Sequence, residues 1–287
     1  MKTCLLSSIR KKWFLTLIFI CYCLPLSCSL PLYYWRQDKF VNFGDYISLK
    51  LVEQIVQEPV EAFRRSPKDK RIKLLAIGSI LSFASNNDII WGTGANGKVL
   101  KKEHYSFQSL DVRSVRGPLT RKFLQEAFAI EVPEIYGDPA LLFPYFFPNF
   151  TKSQNPKHEY LIIPHYSERH LFPKEIYPNV IYPTDPWTEV IGAIVDSKFV
   201  IASSLHGIII AESYGIPARM LRVTENEPIF KYQDYYFGTN RPDFCYATSI
   251  EEALLLQGEK PFDCDLKQLY NAFPKEYWPN TTFKELQ

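Results

Sequence analysis

Two serines and a histidine crowd into the middle of the stretch VIASSLHGIIIAESYGIPARMLR, Val200 to Arg222. Hydroxyls and an imidazole at that spacing suit anion binding and proton transfer if a turn between strand and helix presents them. The sequence provides such a turn. Apolar Phe199 to Ala202 reads as a short strand, Ser203-Ser204-Leu205-His206-Gly207 as a tight polar turn, and Ile208 to Tyr214 as an apolar helix stopped by Gly215. The free N–H groups and positive dipole end of such a helix attract negative charge, and Ser203, Ser204 and His206 complete the cup. Gly207 lacks a Cβ and lets the backbone approach a ligand closely. The structural alternative is a buried crossover in which Ser203 or Ser204 only caps the helix and His206 is a satisfied core histidine.

Other chemistry-bearing residues also sit where elements change. Asn42-Phe43-Gly44-Asp45 lies between an expected strand, Leu32 to Trp35, and an amphipathic helix from about Tyr46 to Gln57. Its side chains, Asn42 and Asp45 in particular, either face a cleft or simply cap that helix. Lys73 to Ser79 and Asp88 to Gly94 read as apolar strands ending near glycine, the pattern of parallel strands in an open α/β sheet. Ligands of such sheets sit outside the carboxyl ends of the strands. Gly92, Gly94 and Gly97 satisfy the literal spacing of a dinucleotide fingerprint, but Lys98 to Lys102 is no buried helix, which excludes a nicotinamide site. Asp111 to Arg121 brings Arg113 and Arg116 to a turn, and Pro118 opens a helix to about Phe128. Arginine at a strand end suits bidentate grip on carboxylate or phosphate.

In the second half, Tyr160 to His165 is a strand ending in a candidate site residue, His165. Val180 to Tyr182 reads as a short strand, Trp187 to Asp196 as a helix, and Lys231 to Tyr236, with Asp234, as a polar-aromatic loop. A helix over Ser249 to Gln257 and a terminal helix from Asp263 follow, and the Pro-rich segment Phe143 to Pro156 reads as an interdomain linker.

The chain has 287 residues, 46% of them hydrophobic, enough for a substantial core and about two domains. Its first 30 residues hold Lys2, Arg10, Lys11 and Lys12 and no acid, leaving 29 basic against 31 acidic side chains in the rest. A nearly neutral body offers no basic field for nucleic acid. Arg10-Lys11-Lys12 ahead of apolar Trp13 to Leu24 predicts a signal peptide or signal anchor over residues 1–30. That segment places the body in the secretory pathway or on a membrane, with a cytoplasmic-face orientation as the other option. Cys245 and Cys264 are the two cysteines beyond it and are able to pair in an oxidising compartment. No CxxC pair or HExxH occurs, which argues against a metal site. Asn149 and Asn280 stand in glycosylation sequons.

NFGD (Asn42 to Asp45), WGTG (Trp91 to Gly94), VRGPLTR (Val115 to Arg121), GDPALL (Gly137 to Leu142), SSLHGIIIAESYGIPA (Ser203 to Ala218) and KYQDYY (Lys231 to Tyr236) follow in order along the chain. Together they resemble the polysaccharide pyruvyl transferase family, most of all the branch that makes ketal-pyruvate on exopolysaccharides. The resemblance runs from about residue 32 to 241. It implies an α/β fold of two Rossmann-like domains, residues 31–150 and 151–287, facing across a cleft as in GT-B glycosyltransferases. It also implies phosphoenolpyruvate as donor and a saccharide diol as acceptor. Under it, His206 is the acid–base and phosphate ligand, Ser203 and Ser204 hold the anion, and Asn42 and Asp45 face the cleft from the other domain, Asp45 as base for a sugar hydroxyl. Some relatives carry arginine just before the Leu-His of the motif. Ser204 stands there in this chain, so the phosphate clamp is sought among Arg116, Arg222 and Arg169. Gly44, Gly207, His165 and Asp234 complete the expected substrate-binding set.

The chemistry agrees with these residue types. Ketal formation from phosphoenolpyruvate needs a group that titrates near neutrality and cations for phosphate and carboxylate, but no metal or nucleotide cofactor. Two other classes share the pattern: a GT-B glycosyltransferase using a nucleotide-sugar, and a non-catalytic glycan-binding relative.

Overall fold

Short apolar runs build most strands of the sheets, because a parallel strand covered on both faces has no polar side to show. The computed structural model describes residues 30–37, 40–66 and 68–286. The expected leader over residues 1–30 lies outside them except for Leu30. Strands β1 (Leu32–Tyr33), β2 (Leu74–Leu75), β3 (Ile89–Trp91) and β4 (Asp111–Ser114) form one sheet, all parallel and in chain order. Strands β5 (Leu161–Ile163), β6 (Val200–Ala202), β7 (Ala218–Leu221) and β8 (Tyr246–Ala247) form a second with the same arrangement. The protein is thus α/β with two parallel sheets.

Single bridges complete the topology. Leu32 also pairs with Ala62 on its free side, and Ile162 with Val180. Each chain segment therefore leaves the first strand of its sheet toward one edge and returns on the other side of that strand. Such a reversal opens a crevice at the carboxyl ends of the two strands involved, β1 and β2 in one sheet, β5 and β6 in the other.

Eight helices cover these sheets among the described residues: α1 (Phe43–Val56), α2 (Pro118–Phe128), α3 (Phe143–Phe146), α4 (Trp187–Val195), α5 (Leu205–Ser213), α6 (Phe230–Gly238), α7 (Ile250–Leu256) and α8 (Leu266–Asn271). Alternate strand residues divide between cores, as the two-residue period of a strand requires. Leu74, Ile89 and Trp91 share one apolar core with Ile163, Val200, Ala202 and Met220 and with buried residues of α1, α4 and α5. Leu75 and Ile90 face a second core with Phe107, Leu124 and Phe128, while Ile162, Ile201 and Leu221 face a third with Ala253.

Three expectations change. Lys231 to Tyr236 is not a loop but the body of α6. Tyr232, Tyr235 and Tyr236 recur at helical spacing and are all buried, so packing holds a helix where the polar residues between them suggested none. Phe143 to Pro156 does not begin as a linker, because Phe143 and Phe146 lie in the shared core, Phe143 stacked on Phe147 at 4.5 Å. Val180 contributes one bridge rather than a strand. The pairing left open for Cys245 and Cys264 is not formed, and both are free.

The tail returns to the first half. Trp91 Nε1 donates to the Leu269 carbonyl at 2.8 Å, Phe273 packs edge-on to the Trp91 ring, and Thr281 Oγ1 donates to the Val56 carbonyl.

Candidate active site

Two capped helices meet at the crevice. The Oδ1 of Asn42 accepts from the Gly44 N–H at 2.9 Å and fixes the first turn of α1, where Asp45 stands. Ser204 caps α5 in the same way, accepting from the Gly207 N–H, and places His206 in the first turn of that helix. The two turns abut: a Cβ on Gly44 would overlap the His206 ring. Glycine at position 44 is thus what lets the imidazole of one half reach the carboxylate of the other.

His206 is 12% exposed, and its Nε2 lies 3.6 Å from Oδ2 of the buried Asp138. Neither atom has a hydrogen-bond partner, and 3.6 Å is too long for one. Both atoms are buried, so they form a close, unbridged pair beneath the cleft rather than in it. Asp45 is half-buried, and its carboxyl is pushed up from 3.8 to about 7. Burial is the main cause; His206 and Lys231 oppose it, and the Asp138 carboxylate adds to it.

Asp45, His206, Asn42, Ser204 and His165 share a cleft of about 280 Å³. His165 follows β5; burial, reinforced by Lys231, lowers its imidazole to about 3, so the ring is neutral at physiological pH. Its Nδ1 lies 2.7 Å from Ser167 Oγ. Lys231 on α6 and Lys98 on a turn of the first half bring ammonium groups to the cleft, each 2.6 Å from the carboxylate of Glu227. Trp35 and Tyr166, ring centroids 5.3 Å apart, make an aromatic wall on the same cleft. Such a wall suits the apolar face of a sugar ring.

A family model for polysaccharide pyruvyl transferase matches residues 16–225. The chain belongs to that family. It is 31% identical over 242 residues to an uncharacterized protein of Acanthamoeba polyphaga mimivirus, covering 79% of this chain and 82% of that one. It is 26% identical over 215 residues to the succinoglycan biosynthesis protein ExoV of Rhizobium meliloti, covering 71% of this chain and 63% of ExoV. Among solved structures, an uncharacterized protein of Klebsiella pneumoniae aligns with a TM-score of 0.48 at 12% identity, over 77% of this chain and 93% of its own.

The pyruvyl transferase motifs do not all reach the cleft. The expected clamp Arg116 is wholly buried, 3.0 Å from Asp234 and donating to Ala95 O and Ser79 Oγ. An arginine so enclosed holds structure, and Asp234, which also accepts from the Thr120 N–H and Oγ1, is its counter-charge rather than a substrate ligand. Arg116 does bear on the site at one remove, since Ser79 lines the cleft. Arg169 donates to Tyr166 O and Thr184 Oγ1 and lies over Phe40. Arg222 stacks on Tyr246 and faces Glu225 at 3.7 Å. Neither lines the cleft. Ser203 is buried behind it, donating to Glu168 at 2.6 Å and accepting from the His165 N–H. Gly207 packs α5 on its own sheet, where a Cβ would stand 3.1 Å from Ile163, so its bareness serves packing rather than a ligand.

Lys98, Glu227, Lys231, Asp138, Trp35 and Tyr166 were not singled out as site residues from sequence. Lys231 and Asp138 lie inside the family motifs KYQDYY and GDPALL, and Lys98 follows the glycine-rich turn after β3. Among the described residues no group of acidic, histidine and cysteine side chains is arranged to hold a metal ion, and no helix is long and apolar enough to cross a membrane.

Proposed function

We propose that this chain moves the pyruvyl group of phosphoenolpyruvate onto two hydroxyls of a polysaccharide sugar, forming a pyruvate ketal and releasing phosphate. Family membership supports pyruvyl transfer to a polysaccharide. The observation that carries the finer reading is that Asp45 and His206 converge from opposite halves on one cleft beside two lysines. That is a GT-B-like arrangement of two Rossmann-like lobes, each offering the crevice of its own sheet.

The chemistry balances through these groups. A proton goes to the CH2 terminus of the enol while a sugar hydroxyl bonds to the neighbouring carbon and gives its own proton to a base. The C–O bond to phosphate then breaks, and the second hydroxyl closes the ketal, its proton leaving on phosphate or the base. A carboxyl that titrates near 7 is matched to taking the hydroxyl proton, the role assigned to Asp45. His206, which lines the cleft, supplies the proton to the enol carbon or to the departing phosphate. Ser204 and the first turn of α5, whose helix end favours negative charge, support a role for this turn in holding the anion. Trp35 and Tyr166 receive the acceptor sugar.

Incubation with phosphoenolpyruvate and a panel of galactosides, glucosides and mannosides, with phosphate release and product mass as readouts, tests the reading. One acceptor should gain a pyruvyl group as phosphate appears, and His206→Ala should slow this by roughly 10²- to 10⁴-fold. Consumption of a nucleotide-sugar with phosphoenolpyruvate untouched would reject it.

A further inference from the structure

Few cations reach the cleft. Of the described residues lining it, Lys98 and Lys231 are the lysines and no arginine is present. The three arginines expected to form the clamp, Arg116, Arg169 and Arg222, all face elsewhere. The charge that a phosphate requires must then come from the lysine pair.

Their geometry fits that task. Glu227 divides its carboxylate between them: Lys98 Nζ donates to Oε1 and Lys231 Nζ to Oε2, both at 2.6 Å. A carboxylate that spans two ammonium groups sets them at a spacing two oxygens of a phosphate also bridge. Lys231 is anchored on α6 and buried; Lys98 comes from the first half and is 49% exposed. Glu227 belongs to the segment between β7 and α6, outside any helix or strand. Lys98 likewise stands outside any helix or strand, so of the three only Lys231 is held by a helix. Two ammonium groups against one carboxylate leave a positive excess, which a dianionic phosphate matches better than a single carboxylate does.

We propose that Lys98 and Lys231 are the phosphate clamp of the donor site, and that Glu227 is an internal anion which the phosphate displaces from them. The inference rests on the reading of a phosphorylated donor but makes a separate claim about which residues grip it. Calorimetric titration with inorganic phosphate, phosphoenolpyruvate and uridine diphosphate, on the wild type, Lys98→Ala and Glu227→Gln, tests it. Lys98→Ala, a half-exposed position that keeps the fold, should weaken phosphate and phosphoenolpyruvate about tenfold. Glu227→Gln removes the competitor and should tighten inorganic phosphate several-fold. If Glu227→Gln weakens phosphate or leaves it unchanged, or Lys98→Ala binds as the wild type does, the clamp is overturned even if phosphoenolpyruvate is turned over. If the phosphate pattern holds while uridine diphosphate binds and phosphoenolpyruvate does not, the clamp stands and the pyruvyl donor reading falls.

Discussion

Asp45 keeps its proton to about pH 7 because burial outweighs the attraction of His206 and Lys231. The sign of the consequence follows from proton counting. Between the ordinary 3.8 and about 7 the unfolded chain is ionised at this position and the folded one is protonated, so the folded state binds more protons. Stability therefore falls as pH rises through that window. Asp45→Asn should flatten this decline: relative to the wild type its melting temperature should gain at pH 8 and not at pH 4. The same variant should lose transfer activity by about 10²-fold or more. An unchanged pH profile of melting would show that the carboxyl titrates normally. Asn42, Asp45, Ser204 and His206 were legible in the sequence because each sits on a turn between a strand and a helix, a local pattern. Lys98, Glu227 and Lys231 were not, because lone charges read as solvated and only tertiary packing brings these three together.

At the scale of elements, the contact between the first turns of α1 and α5 decides whether the site exists. Gly44→Ala would improve helix propensity yet drive a methyl into the His206 ring. The expected outcome is a fold weakened by about 1–3 kcal/mol and transfer activity reduced about tenfold or more as the imidazole is displaced. Gly192→Ala on α4 is the control, since a Cβ there meets nothing within 4 Å. It should leave activity intact and stabilise by up to about 1 kcal/mol, as chemical denaturation would show. Element boundaries repeat the lesson of the site. Helix α2 was read correctly because Pro118 marks its start, whereas α6 was missed because it buries charge: Lys231 and Asp234 looked like loop residues and are held inside by Glu227 and Arg116.

For the whole molecule, the pair Arg116–Asp234 ties the turn after β4 to α6 with both side chains fully buried. Removing one partner strands the other in the interior. Asp234→Ala should cost about 3–5 kcal/mol in urea unfolding, and Arg116→Met combined with Asp234→Leu should cost less than Asp234→Ala alone. A loss below about 1 kcal/mol for the single change would mean that solvent reaches the guanidinium. The two parallel sheets were legible as two runs of short apolar strands. What the sequence could not show is that the tail recrosses to Trp91, or that apolar residues of both sheets merge inside.

That merged interior gives the halves one fate. Val200 beneath the α5 turn and Ile89 in the far sheet lean on the same packed residues, so loosening either wall loosens the platform of both Asp45 and His206. Hydrogen exchange across a urea series should find amides of β3 and β6 opening together, at one midpoint. A substitution deep in either half would then abolish transfer without touching the cleft, by displacing both side chains of the proposed chemistry at once.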